Sequence, residues 1–362
     1  MMVNKIKTFY VRNERHLNTA AFLLGFIWDN LTLTRVDLLY DNLVLTSYLV
    51  IAGAGIIIYN AYDSGRFQNR FISKISPWLS LVIQFAFGGL FSGYIIFYSR
   101  SASLASSWPF ILFLLALFFG NELFKRRYSK LVFQISIFFI ASFSYAIFSV
   151  PVLIKKMNAG VFVISGILSL LLVFALVTVL RKFSPERVSK SFKPMLFSVL
   201  GLFVLFNVSY FTNIIPPIPL SLKEINVFHD IKRAPDGNYS VMFEESPWYI
   251  PLQDISHTFR RVGSERVYVF SSVFAPTDLT VTLYHEWSYF DDKQGRWIAM
   301  NRIPFPITGG QSGGYRGYSY KEQLFSGYWR VDVLTERGQL VGRVRFKVTT
   351  VEKSPKLTEG TR

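Results

Sequence analysis

The chain has 362 residues, of which 51% are hydrophobic, 17% aromatic and only 17% charged. A soluble chain of this length carries about a quarter charged residues, so the composition argues against a single water-soluble globule. The formal charge of +16 does not mark a nucleic-acid binder: residues 216–362 hold 19 of the 39 Lys+Arg and 16 of the 23 Asp+Glu, so the excess sits in the first 215 residues, between hydrophobic runs.

There is no cysteine, which excludes disulfides, thiolate chemistry and cysteine-based zinc sites. Residues 1–16 form a basic tail with Lys5, Lys7, Arg12 and Arg15. No small-x-small cleavage site follows the first apolar run, so that run reads as an uncleaved span. Seven spans are expected within 17–215, at about 17–35, 43–62, 78–98, 108–124, 131–153, 159–180 and 195–215. The first is the weakest, because Asp29 and Arg35 lie within it.

Lys and Arg outside the spans number 16 on one side (tail, 63–77, 125–130 and 181–194) and 4 on the other (Arg35, Arg100, Lys155 and Lys156). This bias places the N-terminus in the cytoplasm and, after an odd number of crossings, the C-terminal part outside. Trp78, Trp108, Tyr59, Tyr62, Tyr98 and Tyr128 fall near span ends, where amphipathic rings favour the interface. Gly89-x-x-x-Gly93 and Gly53-x-Gly55 allow close helix approach. Polar groups within the spans are few: Gln84, Asn121, Glu122, Gln134 and Asn207.

Pro216, Pro217 and Pro219 end the last run and open a proline-rich linker over 216–237. Within it, Leu220, Leu222, Ile225, Val227, Phe228 and Ile231 fit a short amphipathic helix on the membrane surface. From 238 to 350 the period becomes two. Leu279, Val281, Leu283, His285 and Trp287 share one face, as do Trp329, Val331 and Val333, and as do Leu340, Val344, Phe346 and Val348, while Arg330, Asp332, Arg343, Arg345 and Lys347 point the other way. Short alternating strands over about 120 residues predict an all-β, immunoglobulin-like antiparallel sandwich. The polar tail at 351–362 is expected to be disordered.

At these strands the sequence resembles a bacterial family known only as domain of unknown function 2914. The resemblance rests on His285-x-Trp287, on Gly313-Gly314-Tyr315-Arg316-Gly317-Tyr318-Ser319, on Gly327-Tyr328-Trp329-Arg330-Val331, and on Gly338-Gln339-Leu340-x-Gly342 with Phe346-x-Val348, across about 265–349. It implies an envelope protein with a small β domain, sometimes attached to a multi-span membrane region, and it carries no established reaction or catalytic residues.

The residues themselves present no catalytic constellation. His285-Glu286 begins like a helical zinc-protease motif, but no second His follows at the required spacing and the segment alternates as a strand, so His285 is expected to pack beside Trp287 with its ring nitrogens bonded. Asp291-Asp292-Lys293-Gln294-Gly295 reads as a hairpin turn rather than a calcium loop. No metal or other cofactor is expected. Two binding candidates stand out. Asp29, Arg35, Asp37 and Asp41 cluster at the membrane interface, either as a charged site or as a loop shaped by an Arg35 ion pair. Tyr315, Arg316 and Tyr318 sit in a glycine-rich stretch, where rings stack on sugars and an arginine fork meets acceptors, or where the arginine caps the sandwich.

The expectation is a non-enzymatic, multi-pass protein of the bacterial inner membrane, embedded in the lipid bilayer. Its outer β-sandwich binds another envelope component, protein or glycan, and no nucleic acid. The alternatives are a transporter or channel, disfavoured by uniformly apolar spans, and a membrane-embedded enzyme acting on a lipid-linked substrate at the outer interface.

Overall fold

The computed structural model describes residues 26–33, 35–66, 70–101, 104–123, 130–235, 237–246, 255–310 and 313–362. The chain divides into two compact units, a helical one drawn from the first 210 residues and one built mainly from 211–362. The expected tail at 1–16, most of the first span, and the side chains of Trp78, Asn121, Glu122 and Tyr128 lie outside the described residues.

The helical unit contains α1 (26–32), α2 (Leu39–Asp63), α3 (Arg70–Ser101), α4 (Leu104–Leu123), α5 (Leu131–Ile154), α6 (Ala159–Phe183) and α7 (Pro185–Phe211). Five are long and apolar enough to cross a membrane: α2, the Leu79–Ser101 part of α3, α5, α6 and α7. In α4 the apolar stretch is shorter, Ser107–Gly120. Helix α5 is the buried centre, with 78% of its span enclosed against 28%, 33% and 22% for α2, α6 and α7.

Small residues bring the helices together as their spacing suggested. A Cβ on Gly89 would lie 2.6 Å from the Tyr48 ring, one on Gly93 2.8 Å from Leu45, and one on Gly55 2.7 Å from Ile83, so larger residues would push α2 and α3 apart. Tyr98, near the end of α3, is buried among the helices and donates its hydroxyl to the Ser144 carbonyl. The last helix starts ten residues earlier than its expected span, at Pro185, and stops at Phe211. Asn213, at φ 60°, takes the left-handed conformation just beyond the helix end. The helix therefore ends before the prolines are reached.

The second unit is all-β. Its strands are β1 (Ser221–Phe228), β2 (Asp230–Arg233), β3 (Tyr239–Phe243), β4 (Thr258–Arg261), β5 (Val267–Phe274), β6 (Thr280–Asp291), β7 (Arg296–Thr308), β8 (Tyr315–Lys321), β9 (Gly327–Thr335), β10 (Leu340–Thr350) and β11 (Thr358–Thr361). They form a five-stranded sheet β4-β10-β9-β6-β7 and two three-stranded sheets, β1-β5-β8 and β11-β3-β2. Every neighbouring pair is antiparallel except β4 with β10.

The sheet β1-β5-β8 is the middle layer. One of its faces contributes Val227, Val267 and Val269 to a core with Trp287, Trp329, Val331, Phe346 and Val348 of the five-stranded sheet. Its other face contributes Phe228 and Phe270 to a second core with Ile231, Val241 and Phe243 of the third sheet. A strand buried on both faces loses the alternation that marks a half-exposed one, which is why 225–228 and 267–270 read as nearly continuous apolar runs.

Two sequence expectations are overturned here. The stretch expected to be an interfacial helix within 216–237 forms β1 and β2, with β1 paired along its length to β5. A short apolar run fits either period, and a strand partner about 45 residues away decides it. The tail expected to be disordered at 351–362 supplies β11, which pairs Thr358 with Phe243 through Thr361 with Ser240. Arg362 then exchanges two 2.9 Å backbone bonds with Tyr239. The tail is held by its backbone and needs no apolar side chains of its own. The β domain thus begins at 221 rather than 238 and extends through the tail.

Candidate recognition surfaces

Two histidines of the β domain illustrate how its buried polar groups are satisfied. His285, on the inward face of β6, is fully buried. Its Nε2 lies 2.8 Å from the Ser271 hydroxyl and its Nδ1 2.8 Å from the Ser319 hydroxyl, which also accepts from the Trp287 indole N–H at 3.0 Å. Burial pushes its pKa down to about 3, so the ring is neutral and structural, in the place the strand parity gave it.

His229, at the β1–β2 junction, stacks on Phe259 at 3.9 Å between two carboxylates, with Nδ1 2.9 Å from Glu265 and Nε2 3.1 Å from Glu244. Burial works against its charge, but the bonds to Glu244 and Glu265 outweigh it and raise its pKa. Glu244, also buried, is opposed by desolvation yet held below the usual carboxylate range by His229 and by the Arg260 backbone N–H at 2.6 Å. Arg260 adds a guanidinium bond of 2.7 Å. No local pattern marks this cluster, because Glu244 and Glu265 lie 15 and 36 residues from His229. Among the described residues no group of three or more His, Asp or Glu side chains is arranged to hold a metal ion.

The charge cluster around Arg35 is tied together by hydrogen bonds. Arg35 holds Asp37 bidentately, Nε to Oδ1 at 3.0 Å and Nη2 to Oδ2 at 2.7 Å. Asp41, buried in the first turn of α2, accepts the Arg35 backbone N–H at 3.0 Å. Asp29 lies in α1, half-buried. Arg35, Asp37 and Asp41 are brought together, and their bonds fix the turn into α2. The helical unit also buries a pair the sequence reading noticed only in half: Asn60 donates to Gln134 at 2.6 Å between α2 and α5.

The glycine-rich stretch divides its three candidates. Tyr315 packs toward the core with Leu220, Val273 and Ile307. Arg316 donates to the Asn238 side chain at 2.7 Å and to the Arg362 carbonyl at 3.2 Å, so it ties β8 to the third sheet. Tyr318 stands 42% exposed on the same outward parity as Tyr320, at 48%. Across on β5, the Tyr268 ring lies 6.1 Å from Tyr318 and 5.6 Å from Tyr320, and Tyr239 meets Tyr318 edge-on at 5.9 Å. Arg266 lies over Tyr320 at 5.0 Å and pairs with Glu322 at 2.7 Å. Tyr268 and Tyr320 were missed in the sequence, although the period of β8 joins Tyr320 to Tyr318. Tyr268 is half-buried against the second core, so the arrangement is two open rings, Tyr318 and Tyr320, edged by a charged pair and suited to stacking on an apolar or sugar face.

Residues 280–348, spanning β6 to β10, match the family described as "Protein of unknown function (DUF2914)". The C-terminal part of the chain carries a DUF2914 domain. Its matched span includes His285, Trp287, Tyr318, Tyr320 and Trp329, while β1 to β5 and β11 lie outside it. No curated protein matches the chain. Among solved structures, one similar chain is the Pseudomonas fluorescens alkylpurine DNA glycosylase AlkC bound to DNA containing an abasic site analog, at 10% identity and TM-score 0.21 over 87% of this chain and 99% of that one. Another is a β-glucosidase from Kluyveromyces marxianus, at 11% identity and TM-score 0.17 over 38% of this chain and 15% of that one. Both scores are too low to carry a shared fold, so neither protein bears on how the DUF2914 domain works.

Proposed function

We propose that this is a non-enzymatic integral membrane protein whose outer β domain binds another component of a bacterial cell envelope. In this reading the seven helical segments are seven crossings, the N-terminus is cytoplasmic, and residues 216–362 lie on the outer side of the inner membrane. The open apolar faces of α2, α6 and α7, with Leu39, Val50, Phe174 and Phe197 among their exposed residues, meet lipid. The 16 to 4 distribution of basic residues supports the orientation.

The observation that carries the binding role is the pair of exposed rings Tyr318 and Tyr320 on β8, with Tyr268 of β5 half-buried beside them. Rings left open on a rigid strand lose little conformational freedom on binding, and they serve either a protein surface or a glycan. A Tyr318→Ala/Tyr320→Ala double variant of the full chain is expected to keep the β domain folded, since exposed substitutions usually fall within about 0.5 kcal/mol of neutral. Its retention on isolated envelope glycan, or on envelope protein presented separately, should fall by about tenfold or more. Retention equal to that of the unchanged chain on both materials would remove the tyrosine pair from the function.

A further inference from the structure

On the far side of the β domain, the outward positions of β9 and β10 form a grid in register. Tyr328 faces Lys347, Arg330 faces Arg345, and Asp332 faces Arg343. Four cations thus share this face with two carboxylates, Asp332 and its β6 neighbour Glu286, and the first is already engaged. Asp332 accepts from Arg343 bidentately, Nε at 2.5 Å and Nη2 at 2.8 Å. Arg302, on β7, is spent on the β9–β10 turn, donating to the Thr335 and Glu336 carbonyls at 3.0 Å each.

Arg330 and Arg345 are left in a different condition. Two like charges directly opposite on neighbouring strands repel, and such pairs are destabilising. Arg330 is mostly buried, at 17% side-chain exposure, and its guanidinium lies over the Trp297 ring at 4.8 Å. Its Nε is 3.3 Å from Asp332 but is buried without donating a hydrogen bond. Among the described residues neither arginine donates a side-chain hydrogen bond, and Arg345 is exposed. Burial lowers the Arg330 pKa, and Arg343 and Arg345 push it further down against the pull of Asp332 and Glu286. Buried donors in native proteins nearly always have an acceptor, yet the Arg330 Nε donates to none, and the guanidinium of Arg345 opposite it is exposed.

The exposed ring of Tyr328, at 53%, lies next to these guanidiniums, with Lys347 5.5 Å over it. We propose that the outward face of β9 and β10 binds an acidic saccharide, in which Arg330 and Arg345 fork a phosphate or carboxylate group and Tyr328 stacks on the sugar ring that bears it. An anion between the two guanidiniums relieves their repulsion, while the flat ring meets the apolar face of a sugar. This surface is separate from the tyrosine pair on β8, so either can fail without the other.

The test uses the full chain in nanodiscs of zwitterionic lipid, with calorimetric titration at low salt. The probes are a phosphorylated disaccharide, a short oligouronate, a neutral disaccharide, inorganic phosphate and a hexaglutamate peptide. The site predicts binding of one or both acidic saccharides, with the two arms telling phosphate from carboxylate, and affinity that falls as salt rises. Arg345→Gln should weaken that binding by about tenfold or more and leave the melting temperature unchanged or higher. Tyr328→Ala should weaken the saccharide without changing the response to inorganic phosphate. Any of four results would overturn the assignment: equal binding of the neutral disaccharide, equal binding of hexaglutamate, undiminished saccharide affinity in either variant, or a melting temperature lowered by several degrees in Arg345→Gln.

Discussion

At the scale of single residues, His229 and His285 draw their protons in opposite directions, and the β domain should record both. His229 has its pKa raised by Glu244 and Glu265, so its contribution to stability is complete below the unfolded value of about 6.5 and is lost as pH rises through the folded pKa. His285 is held down to about 3 by burial, so its contribution is present above about 6.5 and is lost as pH falls toward 3. Stability on the acid side should therefore fall by up to about 1.4 kcal/mol per pH unit from this one group. Amide protection at Trp329 and Val331 in the full chain is expected to peak near neutral pH and decline on both sides. In His229→Gln the alkaline decline should disappear while the acid decline persists; an alkaline decline that survives the substitution would place its origin elsewhere. His285 was legible in the sequence because strand parity alone put it beside Trp287. His229 was not, since a lone histidine on a short apolar run says nothing of two glutamates delivered by other strands.

Between residue and whole, the elements that sequence pattern handled well were those with one wet face. In β6, β9 and β10 the apolar residues alternate with Thr, Arg and Lys, and the parity read from the chain is the parity found except at the start of β10, where a bulge between Leu340 and Gly342 puts Val341 rather than Leu340 into the core around Leu283. The middle sheet lies between two cores and has no such alternation, so β1 was taken for a helix. β11 failed for the opposite reason. Thr-Glu-Gly-Thr carries almost no apolar surface and is bound through its backbone and through Arg362, which reaches Glu224 at 2.7 Å. The same logic explains Arg316: a fork that looked free in sequence is engaged by Asn238 and by the carbonyl of Arg362, on a strand that composition did not reveal.

Removing residues 357–362 tests that account at the level of the strand. It opens the edge of β3 and exposes part of Val241 and Phe243, and it takes away one of the two acceptors of Arg316. Each lost backbone bond is worth about 1 kcal/mol, and each kcal/mol shifts melting by about 2–4 °C in a domain of this size. The β domain should melt about 5 °C or more lower, with the Tyr239 amide, which donates to the Arg362 carbonyl, exchanging faster. An unchanged melting temperature would mean that the third sheet does not depend on β11.

For the whole molecule, the helices show what composition could and could not settle. Runs of apolar residues located six helices, and glycine spacing anticipated the close approach of α2 and α3. Among the described residues, length and apolar composition qualify five of them to cross a membrane. The proposed orientation rests on the parity of the crossings and on the basic residues, so an error of one crossing would move the β domain to the other side of the membrane. A cysteine placed at the exposed position Gln323, in a chain that has none of its own, reads this out directly. Seven crossings with the N-terminus inside predict labelling of Gln323→Cys by a membrane-impermeant thiol reagent in intact cells with the outer barrier opened. Cysteines at Lys190 and Lys193, exposed in the basic stretch after α6, should label only once the inner membrane is broken. The reverse pattern would require an even number of crossings before residue 216, with the weakest expected span, the one containing Asp29 and Arg35, failing to cross. The β domain and its two candidate surfaces would then face the cytoplasm, and an envelope glycan would be out of their reach.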